Sequence, residues 1–272
     1  MKNITKQSLV TFSLLSPGLV VIGCLFFYPL FVIIRNSLAF GEEQVFYHYI
    51  EFLSSSNGLY VIGLTCLLAF GATFLSICLS IVLILILRRK PLGHTFFKTL
   101  ILAPIAIPGL ICALGLLLFW DKNGWINLLV QSLTNHPIQV NYTIPGLIIF
   151  YTWLFFPYTF LITSSQIESL EKSIEEAAEV VGANRWQILR YILLPLVKPG
   201  LLAGSIMTFM LCFGAFSVPL ICGGDYRPLS VTIYTTSAIF NRWDEGSAMA
   251  VVMALVQILF LISYIRIMRR TR

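Results

Sequence analysis

Apolar residues gather into six runs along the chain, each long enough for the roughly 20 residues that a bilayer-crossing helix needs. The runs lie near Val10 to Ile34, Tyr60 to Leu87, Phe97 to Phe119, Ile144 to Ser164, Pro199 to Cys222 and Ser247 to Ile265. The most polar long interruption between them is the stretch 166–198. There Ser173 and Glu176 stand at capping-box spacing, so a short helix is predicted to begin at about Ile174. Ile174, Ala177, Ala178 and Val181 recur at three and four residues as its inward stripe, with Glu175, Glu176 and Glu179 outward. Gly182 falls where a left-handed cap is wanted, and Asn184 can cap a second helix that carries Trp186, Leu189 and Ile192 inward. That helix is predicted to give way near Pro195. The predicted fold is all-α: one polytopic membrane domain over residues 1–272, with six transmembrane helices and a helix–corner–helix loop between spans four and five.

Composition agrees with the pattern. Hydrophobic residues make up 58% of the sequence and charged residues 11%, against about 45–50% apolar in soluble domains. Lys2 and Lys6 precede the first run, which would suit a signal peptide, but the run exceeds the roughly 7–15 apolar residues of a signal core and has no small-residue cleavage site. It is expected to remain a span. Of the 18 Lys and Arg residues, fourteen fall in one alternate set of segments: Lys2, Lys6, Arg88, Arg89, Lys90, Lys98, Lys172, Arg185, Arg190, Lys198, Arg266, Arg269, Arg270 and Arg272. Only Arg35, Lys122, Arg227 and Arg242 fall in the other, which also carries acidic residues such as Glu42 and Glu43. The positive-inside rule then predicts that both termini and the stretch 166–198 are cytoplasmic. This distribution also accounts for the net charge of +6 by topology, with membrane lipid and no nucleic acid as the partner.

What is missing narrows the chemistry. No Asp, Glu, Lys, Arg or His falls in the middle of a span, whereas ion-coupled carriers and voltage sensors need such groups at membrane depth. An ion-coupled secondary carrier or channel is therefore the alternative, not the first reading. His48, His94 and His136 all lie in loops, which leaves no pair to ligate haem between helices. Cys24, Cys66, Cys78, Cys112, Cys212 and Cys222 lie in or at the ends of apolar runs without CxxC spacing, and read as small hydrophobes. No metal site and no cofactor are predicted.

Within the spans, Thr65, Thr73, Ser76 and Ser80 keep to one face of span two with Ala69 and Ala72. They either line a path or pack closely against other helices, and packing is favoured. Gly200, Gly204, Thr208 and Cys212, four apart in span five, form a ridge that lets another helix approach, whether from this chain or a second subunit. Pro104 and Pro108-Gly109 should kink span three; a static kink is favoured over a gating role.

Glu176-Ala177-Ala178, then Gly182, then Ile192, Leu194 and Pro195 resemble the EAA signature of permease subunits of binding-protein-dependent ABC importers, the MetI-like type. All seven positions agree in identity and spacing. The resemblance implies that the loop 166–198 forms coupling helices seated in a cleft of a cytoplasmic ATP-binding-cassette subunit, with Gly182 at the corner. An ordinary amphipathic hairpin would explain the stripe and the caps, but not that spacing. The stretch Phe213 to Gly224 and the stretch Asn241 to Ala248 resemble, more loosely, permeases of the spermidine/putrescine cluster, which includes iron(III), thiamine and aminoethylphosphonate relatives.

The sequence has no GxxxxGK[ST] phosphate loop, so energy would come from a separate ATPase, and the chain is not expected to be an enzyme. The resemblance implies an ATPase dimer, a second permease subunit (a copy or a paralogue) and an extracytoplasmic substrate-binding protein, in a bacterial cytoplasmic membrane.

Overall fold

The computed structural model describes residues 11, 14–38, 45–88, 91–171 and 173–270. Expectations placed on Val10, Lys2, Lys6, Glu42, Glu43, Arg89, Lys90, Lys172 and Arg272, and on the side chains of Arg269 and Arg270, lie outside the described residues. The described residues form helices and no strands: α1 (Leu14–Ser37), α2 (Tyr47–Ser54), α3 (Ser56–Arg88), α4 (His94–Ala106), α5 (Gly109–Phe119), α6 (Trp125–Thr134), α7 (Ile144–Glu168), α8 (Ser173–Val180), α9 (Arg185–Phe213), α10 (Ser217–Cys222), α11 (Leu229–Ile239) and α12 (Trp243–Arg270). Helices α1, α3, α7, α9 and α12 are each long and apolar enough to cross a bilayer, and α4 with α5 makes a sixth, bent span.

Two of the expected spans need correction. Span three breaks instead of merely kinking: α4 and α5 meet at 109°. Pro104 sits inside α4, Ile107 is extended, and Pro108 precedes the first residue of α5. Two prolines four apart remove two ladder donors, and the extended residue before Pro108 turns the chain away. Span five runs over Arg185–Phe213, not from Pro199 to Cys222. A break at Gly214, Ala215 and Phe216 separates it from α10. Hydropathy stays high through that break, so no apolar count could reveal it.

Nor does the helix end at Pro195. A π turn over Leu189–Leu193 comes immediately before it, and Pro195 sits in the first turn of the α-helical segment that follows. The wide i→i+5 turn displaces the hydrogen-bond ladder where the pyrrolidine ring would otherwise clash.

The chain divides into two compact units. In the first, residues 1–59 and 232–255, Ser37 is buried at the end of α1 and accepts a hydrogen bond from Tyr49 Oη at 2.6 Å. The apolar window of α1 buries none of its residues within the chain, as suits a helix solvated by lipid.

In the second unit, residues 60–231 and 256–272, the most extensive helix pair is α7 with α9. Gly204 makes the approach: a Cβ there would lie 2.9 Å from Thr159 Cα. Thr159 Oγ1 donates to Gly204 O at 3.1 Å and lies 2.8 Å from Thr208 Oγ1, which has Phe155 O as an acceptor at 3.1 Å. Gly200 meets the Gln166 side chain of α7, whose Cβ would lie 3.1 Å from a Cβ built on the glycine. The ridge Gly200, Gly204 and Thr208 is thus filled by α7 of the same chain, not by a second subunit. Phe70 of α3, Phe209 of α9 and Phe260 of α12 pack in tilted and edge-to-face arrangements with centroids 4.8–5.3 Å apart. Ile84, Leu87, Phe156, Phe160, Ile167 and Val197 form an apolar cluster where α3, α7 and α9 meet.

Candidate functional site

The polar stretch builds the helix–corner–helix anticipated from the sequence, with different chemistry at its start. Helix α8 begins at Ser173 itself, whose Oγ donates to Glu171 Oε2 at 3.0 Å, so Ser173 and Glu176 do not form a capping box. The upstream carboxylate takes the hydroxyl first. At the far end Gly182 has φ +87°. Gly182 N donates to Glu179 O and Ala183 N to Ala178 O, both at 3.0 Å. These are the two bonds of a Schellman motif, which satisfies carbonyls that the helix end would leave orphaned. Asn184 then caps α9, and the capping box is here: Gln187 N donates to Asn184 Oδ1 at 2.9 Å and Asn184 N to Gln187 Oε1 at 2.7 Å.

The inward side of this loop is narrower than the predicted stripe. Ala178, Ile188 and Leu193 are buried against Leu85 of α3, with Leu189 and Ile192 half-buried beside them. Ile174, Val181 and Trp186, expected inward, are exposed; Val181 is 83% and Trp186 65% exposed, with Val180 at 86% and Tyr191 at 70%. An eight-residue helix followed by a corner can seat only about one side chain per turn on the core, so the rest of the apolar stripe faces out. Ala177, Glu176, Leu194 and Pro195 are also exposed, and Glu176 has no side-chain partner among the described residues.

Glu175, expected outward, turns in. It forms an ion pair with Arg88 at the end of α3, Arg88 Nε donating to Glu175 Oε1 at 2.5 Å. Arg88 Nη1 also donates to Ile167 O near the end of α7 at 2.5 Å. One guanidinium therefore holds α3, α7 and the first turn of α8 together. Sequence reasoning counted Arg88 only as a topology marker. The two partners lie 87 residues apart, and no local spacing rule reaches across that distance.

A second feature is the cavity at the two helix breaks. About 310 Å³ opens where the α4–α5 break, with Pro104 and Ile107, faces the α9–α10 break, with Ala215 and Ser217. Phe155 and Tyr158 of α7 and Phe216 line it, and no Asp, Glu, Lys, Arg or His is among its lining side chains. Ser217 approaches Gly109 closely: a Cβ on Gly109 would lie 3.2 Å from Ser217 Oγ.

Thr65, Thr73, Ser76 and Ser80 are all buried. Thr65 Oγ1 donates to Val61 O at 2.6 Å and accepts from Leu229 N at 2.8 Å; Ser76 Oγ donates to Ala72 O at 2.7 Å. Thr73 and Ser80 have no side-chain hydrogen-bond partner among the described residues. None of the four lines the cavity at the helix breaks. In the first unit, His48, Glu51 and Glu245 each bring one ligand atom within 4.8 Å of the others. Arg242 already pairs with Glu245, and we assign no metal there.

Residues 76–271 match the protein family described as "Binding-protein-dependent transport system inner membrane component". The spermidine/putrescine transport system permease protein PotB of Escherichia coli (strain K12) is 30% identical over 173 residues, which are 62% of this chain and 63% of that relative. The matched region thus spans less than two thirds of PotB. The sulfate transport system permease protein CysW of Synechocystis sp. is 24% identical over 96% of this chain and 93% of its own length. Among solved structures, a chain of a bacterial ABC transporter for alginate import superposes with TM-score 0.85 at 19% identity, covering 99% of this chain and 98% of that one. A chain of the MetNI methionine ABC transporter, inward facing, superposes with TM-score 0.60 at 17% identity over 80% of this chain and 99% of that one.

Proposed function

We propose, since the chain belongs to the family of binding-protein-dependent transport system inner membrane components, that it is the transmembrane subunit of an ATP-driven importer for a small solute delivered by a binding protein. The observation that carries this reading is the loop α8–Gly182–α9. It is anchored inward by Ala178, Ile188, Leu193 and the Arg88–Glu175 pair, while Ala177, Val180, Val181, Trp186 and Tyr191 stay uncovered. A protein in water rarely leaves so dense an apolar group exposed without a partner. The partner proposed is the cytoplasmic ATP-binding-cassette dimer. Glu176, Ala177, Ala178, Gly182, Ile192, Leu194 and Pro195 are the coupling residues, and the loop 166–198 is cytoplasmic together with both termini. Two docking clefts on an ATPase dimer call for two such loops, hence a second permease subunit.

In this mechanism ATP-driven closure of the dimer draws the two coupling loops together. Arg88 passes the movement of α8 to α3 and α7, and the helix-break cavity turns from one side of the membrane to the other by alternating access. Broken helices are where transporters expose backbone groups to a solute, which supports placing the path at Pro104, Pro108 and Ser217 and leaving Thr65, Thr73, Ser76 and Ser80 to packing.

For the substrate, the two named relatives transport a polycation and a sulfate dianion. The cavity offers Phe155, Tyr158 and Phe216 and no basic side chain. Aromatic faces attract ammonium groups, whereas nothing charged is present to hold a sulfate. This supports a polyamine or other amine solute.

The test is a tagged pull-down from detergent-solubilised native membranes, with mass spectrometry of what remains bound. An ATP-binding-cassette subunit and a second six-span permease should come down together. Recovery of the intact chain alone in more than one detergent would sink the proposal.

A further inference from the structure

A cavity of about 500 Å³ opens between the end of α3, the start of α4 and the end of α7. It lies on the other side of Arg88 from the coupling loop, at the level where three apolar helices end. Its floor is the apolar cluster of Leu87, Phe160 and Ile167; its rim carries Arg88, His94, Lys98 and Glu168.

The rim carries two cations, each with a carboxylate of the chain beside it: Arg88 with Glu175 and Lys98 with Glu168. Helix α4 begins after Gly93 with no side-chain cap and no acidic residue in its first turn. His94 N donates to Pro91 O at 3.0 Å, but no side chain caps the amides that follow, and anions are favoured at the positive end of a helix dipole. The sequence instead puts Lys98 one turn in, a cation at the positive pole. The Arg88 side chain is 10% exposed, and its Nη2 lies against Glu175 without completing a hydrogen bond. Glu168 is the counter-charge supplied by the chain: it meets Lys98 at 2.7 Å, but the two are 53% and 29% exposed. A pair so open to water is weakly held and readily exchanged.

We propose that this cavity binds the phosphate headgroup of an anionic phospholipid, with Lys98, Arg88 and the α4 N-terminus taking the phosphate and the apolar floor taking the start of the acyl chains. Basic pockets between transmembrane helices on the cytoplasmic side recognise anionic headgroups by this combination of charge and apolar wall. A soluble phosphate would use the rim alone. The volume lies within the roughly 300–1,000 Å³ of ordinary ligand sites.

Native mass spectrometry of the purified full-length chain, titrated with dioleoylphosphatidylglycerol or dioleoylphosphatidylcholine, tests this. One phosphatidylglycerol should be retained per chain and phosphatidylcholine should not. Lys98→Gln should weaken retention roughly tenfold, the loss of one charge-assisted hydrogen bond. Glu168→Gln should strengthen it by removing the competitor, a gain that a misfolded variant would not give. Lys122→Gln, remote from the cavity, should change nothing. Equal retention of both lipids, or retention indifferent to Lys98 and Glu168, overturns the proposal. Displacement of phosphatidylglycerol by millimolar inorganic phosphate shows a free-anion site and overturns the lipid assignment.

Discussion

Two glycines show how one residue type serves opposite purposes. Gly204 is defined by what touches it: an added Cβ would stand 2.9 Å from Thr159 Cα and 3.0 Å from Thr159 O. Backbone cannot step aside as a flexible side chain can, so Gly204→Val forces α7 and α9 apart and separates the Thr159–Thr208 pair. A cost of about 1–3 kcal/mol or more is expected for such overpacking, read as a lower melting temperature in detergent. Gly182 is defined by its backbone: φ is +87° and nothing lies within 4 Å of a Cβ built there. Gly182→Val meets no neighbour but strains the corner by roughly 1–2 kcal/mol, while Gly182→Asn suits a left-handed conformation. Gly182→Asp tolerates the corner nearly as well but puts charge on the exposed face. Val and Asp should therefore abolish ATPase stimulation by the loaded binding protein, Asp with the melting temperature almost unmoved and Val with it lowered by a few degrees, and Asn should retain it. Wild-type uptake by both Val and Asp variants would remove Gly182 from the coupling machinery.

At the scale of elements, the apolar runs announced α1, α3, α7 and α12 because each needs only length and hydropathy to be seen. The breaks were harder. Pro104 and Pro108 pointed to a disturbance, but a kink and a 109° turn have the same proline signature. The pause at Gly214, Ala215 and Phe216 has no sequence signal beyond one glycine. The loop was legible at its glycine and at Asn184, whose roles are local. Its inward face was misread, since a stripe of apolar residues gives no sign of which members a neighbour will cover. Glu175 is the clearest case: its partner Arg88 comes from another helix, and the pair makes α8 part of the bundle instead of a free hairpin. Glu175→Gln or Arg88→Gln should cost the attachment about 1.5–3 kcal/mol, the range for a charge-assisted bond. ATP hydrolysis would then run without transport, because α8 can move while α3 stays. The exchange Arg88→Glu with Glu175→Arg should recover part of the lost uptake. Double variants no better than the product of the singles would show that the pair does not act as a unit.

Over the whole molecule, exposed apolar surface is of two kinds that composition cannot separate. Leu19, Val20, Leu25 and Phe26 on α1 are exposed as lipid-facing side chains should be, and the same exposure recurs at Val180, Val181, Trp186 and Tyr191. The second group differs in its setting. It lies among Glu176, Glu179, Arg185 and Arg190, on either side of a glycine corner: Val180 ends the eight-residue α8, and Trp186 and Tyr191 lie on the first turns of α9, before its apolar stretch. A Trp in such a place is either an aromatic belt residue at the membrane surface or the anchor of a protein interface. The two differ in what its removal does. As an anchor, Trp186→Ala should cost at least about 2 kcal/mol of ATPase binding, a weakening of roughly 30-fold. Trp125, 78% exposed on α6, serves as the comparison, and Trp125→Ala should leave that binding unchanged. The measurement is the affinity of the purified ATPase subunit for the chain in nanodiscs, where the membrane surface is present for both variants. A loss at Trp186 alone fits an interface of two proteins. Equal small effects at both positions would return Trp186 to the belt, and the docking face would have to be sought elsewhere on the loop.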